Sequence, residues 1–245
     1  DSARALANLH RSLELASEVH SPLDVASAYN NIGLVYRKDK KYPQSIEYFQ
    51  KALEGDIQIK SKWGQGYTHR NLGMSYMRLG QLDEAEKEIA QAVALSSEIG
   101  DRTNLVKAML EQGHLAVERK AWDKAIPIFQ ATGKMAEELH IQEVLWRALR
   151  GEGLSLIQLR RMDEATQAYK KAVATVDQDG ELDPFRSAEV DQAVHGGADR
   201  AAGKKDIVDE DNLFPVQREG DIRLSQSRFS VGGLQVVPVE GDVED

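Results

Sequence analysis

Gly33, Gly73, Gly113 and Gly153 stand forty residues apart with no insertion between them, and the apolar pattern around each glycine travels with it. Self-similarity at such a period restricts the chain to architectures that stack one supersecondary unit on the next. Aligned on the glycine, the copies read Y-N-N-I-G-L-V-Y from Tyr29, H-R-N-L-G-M-S-Y from His69, M-L-E-Q-G-H-L-A from Met109 and L-R-G-E-G-L-S-L from Leu149.

The second half of each unit repeats as well. Ser45, Ala85, Ala125 and Ala165 are each followed four residues later by a bulky residue, Phe49, Ile89, Phe129 or Tyr169. Three residues further on stand Ala52, Ala92, Thr132 and Ala172. Two apolar stripes with helical spacing flank a short polar step containing Lys41-Tyr42, Gln81-Leu82, Ala121-Trp122 or Arg161-Met162, which predicts a helix, a tight turn and a helix. A glycine inside a helix costs roughly 1 kcal/mol relative to alanine. Four at one register predict that each admits a close helix approach, with the bulky residue of the second helix filling the gap.

The aromatic, the Ile-Gly or Leu-Gly pair, the tyrosine three residues later and the small-bulky-small series resemble the tetratricopeptide repeat. Tyr29, Ile32, Gly33, Tyr36, Ser45, Phe49 and Ala52 carry the resemblance in the first copy; the third and fourth copies replace the tyrosine with Ala116 and Leu156. The resemblance implies an all-α fold, a right-handed superhelix of stacked antiparallel helix pairs. Because the usual unit has about 34 residues, the forty-residue period is expected to lengthen the second helix, through Leu53 to Lys60 and Val93 to Ile99. Gly100-Asp101 and Lys62-Trp63-Gly64 are expected to reverse the chain.

Extending the register backwards puts Ala5, Leu9 and Ser12 at second-helix positions. Residues 1–22 are therefore expected to be the second helix of an incomplete repeat, with further residues upstream. Four repeats are expected over 23–175, a capping helix or linker over 176–204 and an acidic extension over 205–245, strand-like or extended, with a β-hairpin about Gly232-Gly233. Charge divides at the same place: residues 1–175 hold 24 Lys and Arg against 23 Asp and Glu, and residues 176–245 hold 7 against 17.

Several function classes lose their support at once. The sequence has no cysteine, which removes disulfides, thiolate metal sites and a cysteine nucleophile. Its six histidines are scattered without metal-ligand spacing, and Gly64-x-Gly66 lacks the preceding strand of a nucleotide-binding loop. A non-catalytic chain with no cofactor and no metal is expected. No apolar run reaches the length of a membrane span, and a cytoplasmic location is compatible with the composition.

Stacked helix pairs expose a concave face lined by the first helices, a surface suited to protein segments. Transferring the resembled family's groove positions gives Asn30, Asn31, Leu34 and Arg37 in the first copy. The second supplies Tyr67, Arg70, Asn71 and Met74, the third Lys107, Leu110 and His114, and the fourth Arg147 and Arg150. The resemblance implies that Asn31 and Asn71 bind a ligand's main chain. The arginines could receive carboxylates bidentately while the apolar residues adapt to the rest. The partner expected is therefore a protein or peptide segment, acidic and apolar in character. The clamp for a C-terminal carboxylate known in the family fits poorly, because Leu34 and Glu111 replace its Asn and Arg. Asp209 to Asp211 with Leu213 and Phe214 have the character to occupy such a groove in cis or in a neighbouring molecule. Self-assembly through uncovered repeat ends stays open, and an overall charge of −9 with 6% aromatics argues against nucleic acid.

Overall fold

The computed structural model describes residues 2–177, with side chains through Thr175. Nine helices follow one another among them: α1 Ser2–Glu18, α2 Pro22–Lys38, α3 Tyr42–Gln58, α4 Lys62–Arg78, α5 Leu82–Glu98, α6 Arg102–Glu118, α7 Trp122–Glu138, α8 Gln142–Gln158 and α9 Met162–Asp177. Each of α2 to α9 packs on its sequence neighbours, and α4 with α6 and α6 with α8 make the wider first-helix contacts of a solenoid. The all-α stack of helix pairs is as expected. The hairpin expected about Gly232-Gly233, the capping helix and the acidic extension lie outside the described residues.

The expected lengthening of the second helix is corrected. Helices α2 to α8 all have 17 residues, so the period is shared equally between the two members of a pair. The cause is an identical ending at every junction. At residues 20, 40, 60, 80, 100, 120, 140 and 160 the backbone turns left-handed, with φ between 53° and 75°. The following amide returns to the carbonyl five residues earlier, as in Lys41 N–H to Tyr36 O at 2.9 Å and Ser61 N–H to Asp56 O at 2.8 Å. This Schellman closure satisfies carbonyls that a helix end would leave orphaned. Gly80 and Gly100 adopt the conformation without a Cβ penalty, whereas His20, Lys40, Lys60, Lys120, His140 and Arg160 adopt it as ordinary residues.

Helix starts differ instead, a side-chain cap opening three of the four first helices but not α8, which Ile141 precedes without one. Ser21, Ser61 and Asp101, forty residues apart, cap α2, α4 and α6 by accepting from the amides of Asp24, Gly64 and Asn104. Lys41, Gln81 and Ala121, which precede α3, α5 and α7, make no such bond. Chain reversal before α4 thus falls on Lys60-Ser61, and Lys62-Trp63-Gly64 form the first turn of the helix, contrary to expectation. Gly64 is required there because a Cβ would strike the buried carboxylate of Asp56. Burial pushes the Asp56 carboxyl above its ordinary value, opposed by the 3.0 Å hydrogen bond donated by Thr68 Oγ1 and by the charge of His69.

The seam of each pair follows the glycine register. A Cβ on Gly33 would lie 2.7 Å from Phe49, on Gly73 2.5 Å from Ile89, on Gly113 2.5 Å from Phe129 and on Gly153 2.7 Å from Tyr169. Each glycine therefore admits the bulky residue of the next helix. The small residues before and after it, Ser45, Ala85, Ala125 and Ala165 with Ala52, Ala92, Thr132 and Ala172, are all buried. In α1 the corresponding Ala5 and Leu9 are only half-buried and Ser12 is exposed, since no described helix stands where a first helix would cover them.

Candidate binding groove on the concave face

The even-numbered helices α2, α4, α6 and α8 place their side chains along one face, and neighbouring helices meet there in a staggered register. Asn71 Nδ2 on α4 donates to Asn30 Oδ1 on α2 at 3.1 Å across forty-one residues. Arg70 on α4 and Glu111 on α6 have the same separation and interact through their charges.

Asn71 is fully buried and its Oδ1 also accepts, at 3.4 Å, from Arg37 Nη1. That nitrogen lies 2.9 Å from the sulfur of Met74, itself buried. Asn31, at the same register position as Asn71, is exposed. The two asparagines paired by the resemblance are thus in different environments, and Asn30 is the one joined to Asn71. Leu34 is half-buried against Ile46, Phe49 and Leu72, and Leu110 is wholly buried in the cluster containing Phe129. Both serve the helix seam, which corrects the expectation that Leu110 offers an adaptable contact. Lys107 is half-buried.

Glu111 is the centre of the charged part. Only 1% of its side chain is exposed, with Arg147 Nη2 at 3.8 Å and His114 Nδ1 at 3.1 Å. Arg147 also lies 3.9 Å from Glu143 on its own helix, and the His114 ring tilts against Phe129 at 5.6 Å. Burial holds the Arg70 guanidinium below the usual arginine range; Glu111 and Tyr67 oppose the shift, and Arg37 and Arg147 add to it. Arg70 therefore feels two further arginines, Arg37 and Arg147, together with the buried Glu111 carboxylate. Arg70 Nε is buried and has no hydrogen-bond partner.

Aromatic rings extend the charged patch in two places. Arg150 lies over Trp146 at 5.6 Å on α8, and Arg70 lies over Tyr67 at 5.1 Å on α4. Tyr67 in turn stacks on Trp63, centroids 5.8 Å apart and planes 11° apart. Trp63 was not among the expected site residues, and Glu111 was expected only as a departure from the family's carboxylate clamp. Trp63 precedes the transferred positions, although its spacing, Trp-x3-Tyr-x2-Arg, already puts three π or cationic groups on one helical face. Among the described residues no group of His, Asp and Glu could hold a metal ion, and no helix is long and apolar enough to cross a membrane.

A solenoid of stacked helix pairs is the class of protein that the fold defines. The tetratricopeptide repeat model matches residues 1–58 and 65–138, and the chain belongs to that family. Among solved structures, BtubC (BKLC) from P. vanneervenii is similar with a TM-score of 0.68 at 14% identity, covering 93% of this chain and 99% of that one. A Rap protein complexed with competence and sporulation factor aligns at TM-score 0.72 and 14% identity over 81% of this chain, which spans 56% of the Rap chain. Aspartyl phosphate phosphatase F from Bacillus subtilis aligns at 0.61 and 19%, over 76% of this chain and 52% of that one. No curated protein matches the sequence. These structural likenesses, all below a quarter identity, concern the fold.

Proposed function

We propose that this chain acts as a cytoplasmic, non-catalytic scaffold whose concave face binds a protein or peptide segment bearing carboxylates and apolar side chains. The single observation that carries the reading is Arg70, whose Nε is buried and unpartnered and whose guanidinium feels the charges of Arg37, Arg147 and Glu111. A buried guanidinium with an unsatisfied donor favours an incoming carboxylate, and its planar fork can meet one bidentately. That a similar solenoid was solved complexed with competence and sporulation factor supports a ligand-binding use of the fold.

Fluorescence anisotropy with a labelled acidic-apolar peptide and its Lys-substituted counterpart tests the reading. The acidic peptide is expected to bind with a clear salt dependence, and Arg70→Glu to weaken it at least tenfold. Equal binding of both peptides would refute a carboxylate-binding groove. A steeper salt dependence for a single-stranded RNA than for the acidic peptide would favour phosphate tracking instead.

A second reading has its own observation: the acidic excess of residues 176–245 complements the groove. In that reading Asp209 to Asp211, with Leu213 and Phe214, occupy the arginine cluster in cis or in a second copy. Truncation after Lys205 is then expected to raise affinity for the acidic peptide, and unchanged affinity would count against it.

A further inference from the structure

Trp63 is 61% exposed, an unusual position for so large an apolar ring on a helix whose other side is packed. A solitary exposed tryptophan needs no explanation. This one is not solitary: its ring lies nearly parallel to Tyr67, and Tyr67 carries the guanidinium of Arg70. Positions 63, 67 and 70 fall at i, i+4 and i+7 of α4, so they form a continuous rail from the first turn of the helix to Arg70. At the equivalent places the other first helices have Leu23, Thr103 and Glu143 in place of the tryptophan, and Ser27, Lys107 and Arg147 in place of the tyrosine. Thus, among the described first helices, the rail occurs on α4 alone, the helix that supplies Arg70 with its buried Nε.

We propose that Trp63 is an aromatic shelf that takes a planar side chain of the bound segment, at a fixed distance from the carboxylate received at Arg70. The inference rests on the carboxylate-binding reading of the groove and adds to it a second anchor and a spacing. Seven residues of helix rise about 10 Å. An extended peptide advances about 3.3 Å per residue, so the planar and acidic side chains stand about three residues apart. Tyr67 has one neighbour on each side, Trp63 and Arg70; the exposed surface of Trp63 is where a further ring can join the stack. Charge selects the register: the acidic group is drawn to the arginines, which places the planar group over the ring and not over the rest of the face.

The probes are acetylated and amidated, fluorescein-labelled peptides in a Gly-Ser background. One carries Phe three residues from an Asp pair, in both orders; one carries Phe adjacent to the pair; one carries the Asp pair alone. With the full 245-residue chain, the three-residue spacing in one of its orders is expected to bind roughly three- to tenfold more tightly than the Asp pair alone, as one aromatic stack would give. Trp63→Ala is expected to erase that difference and leave the Asp-pair peptide unchanged, while Trp63→Phe retains most of it. Thermal melts followed by circular dichroism check that both variants fold. Acidic peptides that bind equally well whatever the position of Phe, or whatever residue stands at 63, would overturn the shelf and leave the groove reading intact. Failure of every acidic peptide to bind would overturn both.

Discussion

Along the seam of each helix pair, the residue sixteen places after the register glycine is Phe49, Ile89, Phe129 or Tyr169, always large and buried. Along the concave face, the residue three places before the same glycine is Asn30, Arg70, Leu110 or Arg150, and the next is Asn31, Asn71, Glu111 or Gly151. The seam keeps its chemistry and the face does not. A close-packed interior demands complementary volumes at every repeat, so a change on one helix has to be answered on the other. The face demands volume only where first helices touch, and elsewhere it can differ from copy to copy. What the repeats share holds the array together, and what they do not share marks where a ligand would be distinguished.

Breaking the seam should have the largest effect. Phe129 is held between Gly113 and Gly151, and a Cβ on either would collide with its ring. Gly113→Leu is expected to cost about 3 kcal/mol or more, at the upper end of overpacking penalties, measured by urea unfolding. Adding Phe129→Leu should recover part of the loss, a non-additivity expected of residues in contact. Two independent, summed losses would show that the glycine serves the backbone and not the ring.

On the concave face the comparison predicts a trade between stability and binding. Glu111→Gln removes the charge that compensates the arginines but retains the shape of the side chain. Stability is expected to fall by about 1–3 kcal/mol, the range for a buried hydrogen-bonding partner left unsatisfied, since the glutamine keeps the shape and part of the bonding. Affinity for an acidic peptide should rise in the same variant, because the ligand carboxylate no longer shares Arg70 and Arg147 with a resident one. Anisotropy titration decides the point: weaker binding would mean that Glu111 orients the arginines instead of competing for them.

The smallest expected change tests whether every seam glycine is alike. Gly133 on α7 lies outside the forty-residue register, and a Cβ there would sit 3.7 Å from Leu145 Cδ1, an ordinary contact. Gly133→Ala is expected to stabilise the chain by about 0.5–1 kcal/mol through reduced freedom of the unfolded chain and better helix propensity. A rise in thermal midpoint would show that Gly133, unlike Gly113 and Gly151, has no packing role.

Much of this fold was legible because packing writes itself as residue size at fixed intervals. The Gly33–Phe49 pairing and the small residues Ser45 and Ala52 are visible in the letters before any coordinate is known. The junctions were less so: glycine announces a left-handed residue at Gly80 and Gly100, but Lys40, Lys60 and His140 carry no such mark and are forced into it by the closure of the turn. Without those endings the extra residues of each unit had to be assigned to one helix. The groove was legible as a set of positions but not as an environment. Asn31 and Asn71 share a register, yet only Asn71 meets a residue from the preceding first helix. Whether a side chain is buried depends on the neighbouring copy, and Glu111 and Trp63 gain their interest from partners that a single-copy reading omits.

The left-handed residue that closes every helix after the same number of residues also keeps the array in phase. One residue gained or lost inside a helix would swing all that follows in it by about 100° and shift it by 1.5 Å. A side chain meant for the cavity would then face its neighbour's backbone, and the next bulky residue would miss its glycine. Change in length is therefore tolerable in whole units, whereas change in identity is open at single positions. Such a chain can extend its reach by duplication and alter its taste by substitution, and the two kinds of change need not interfere.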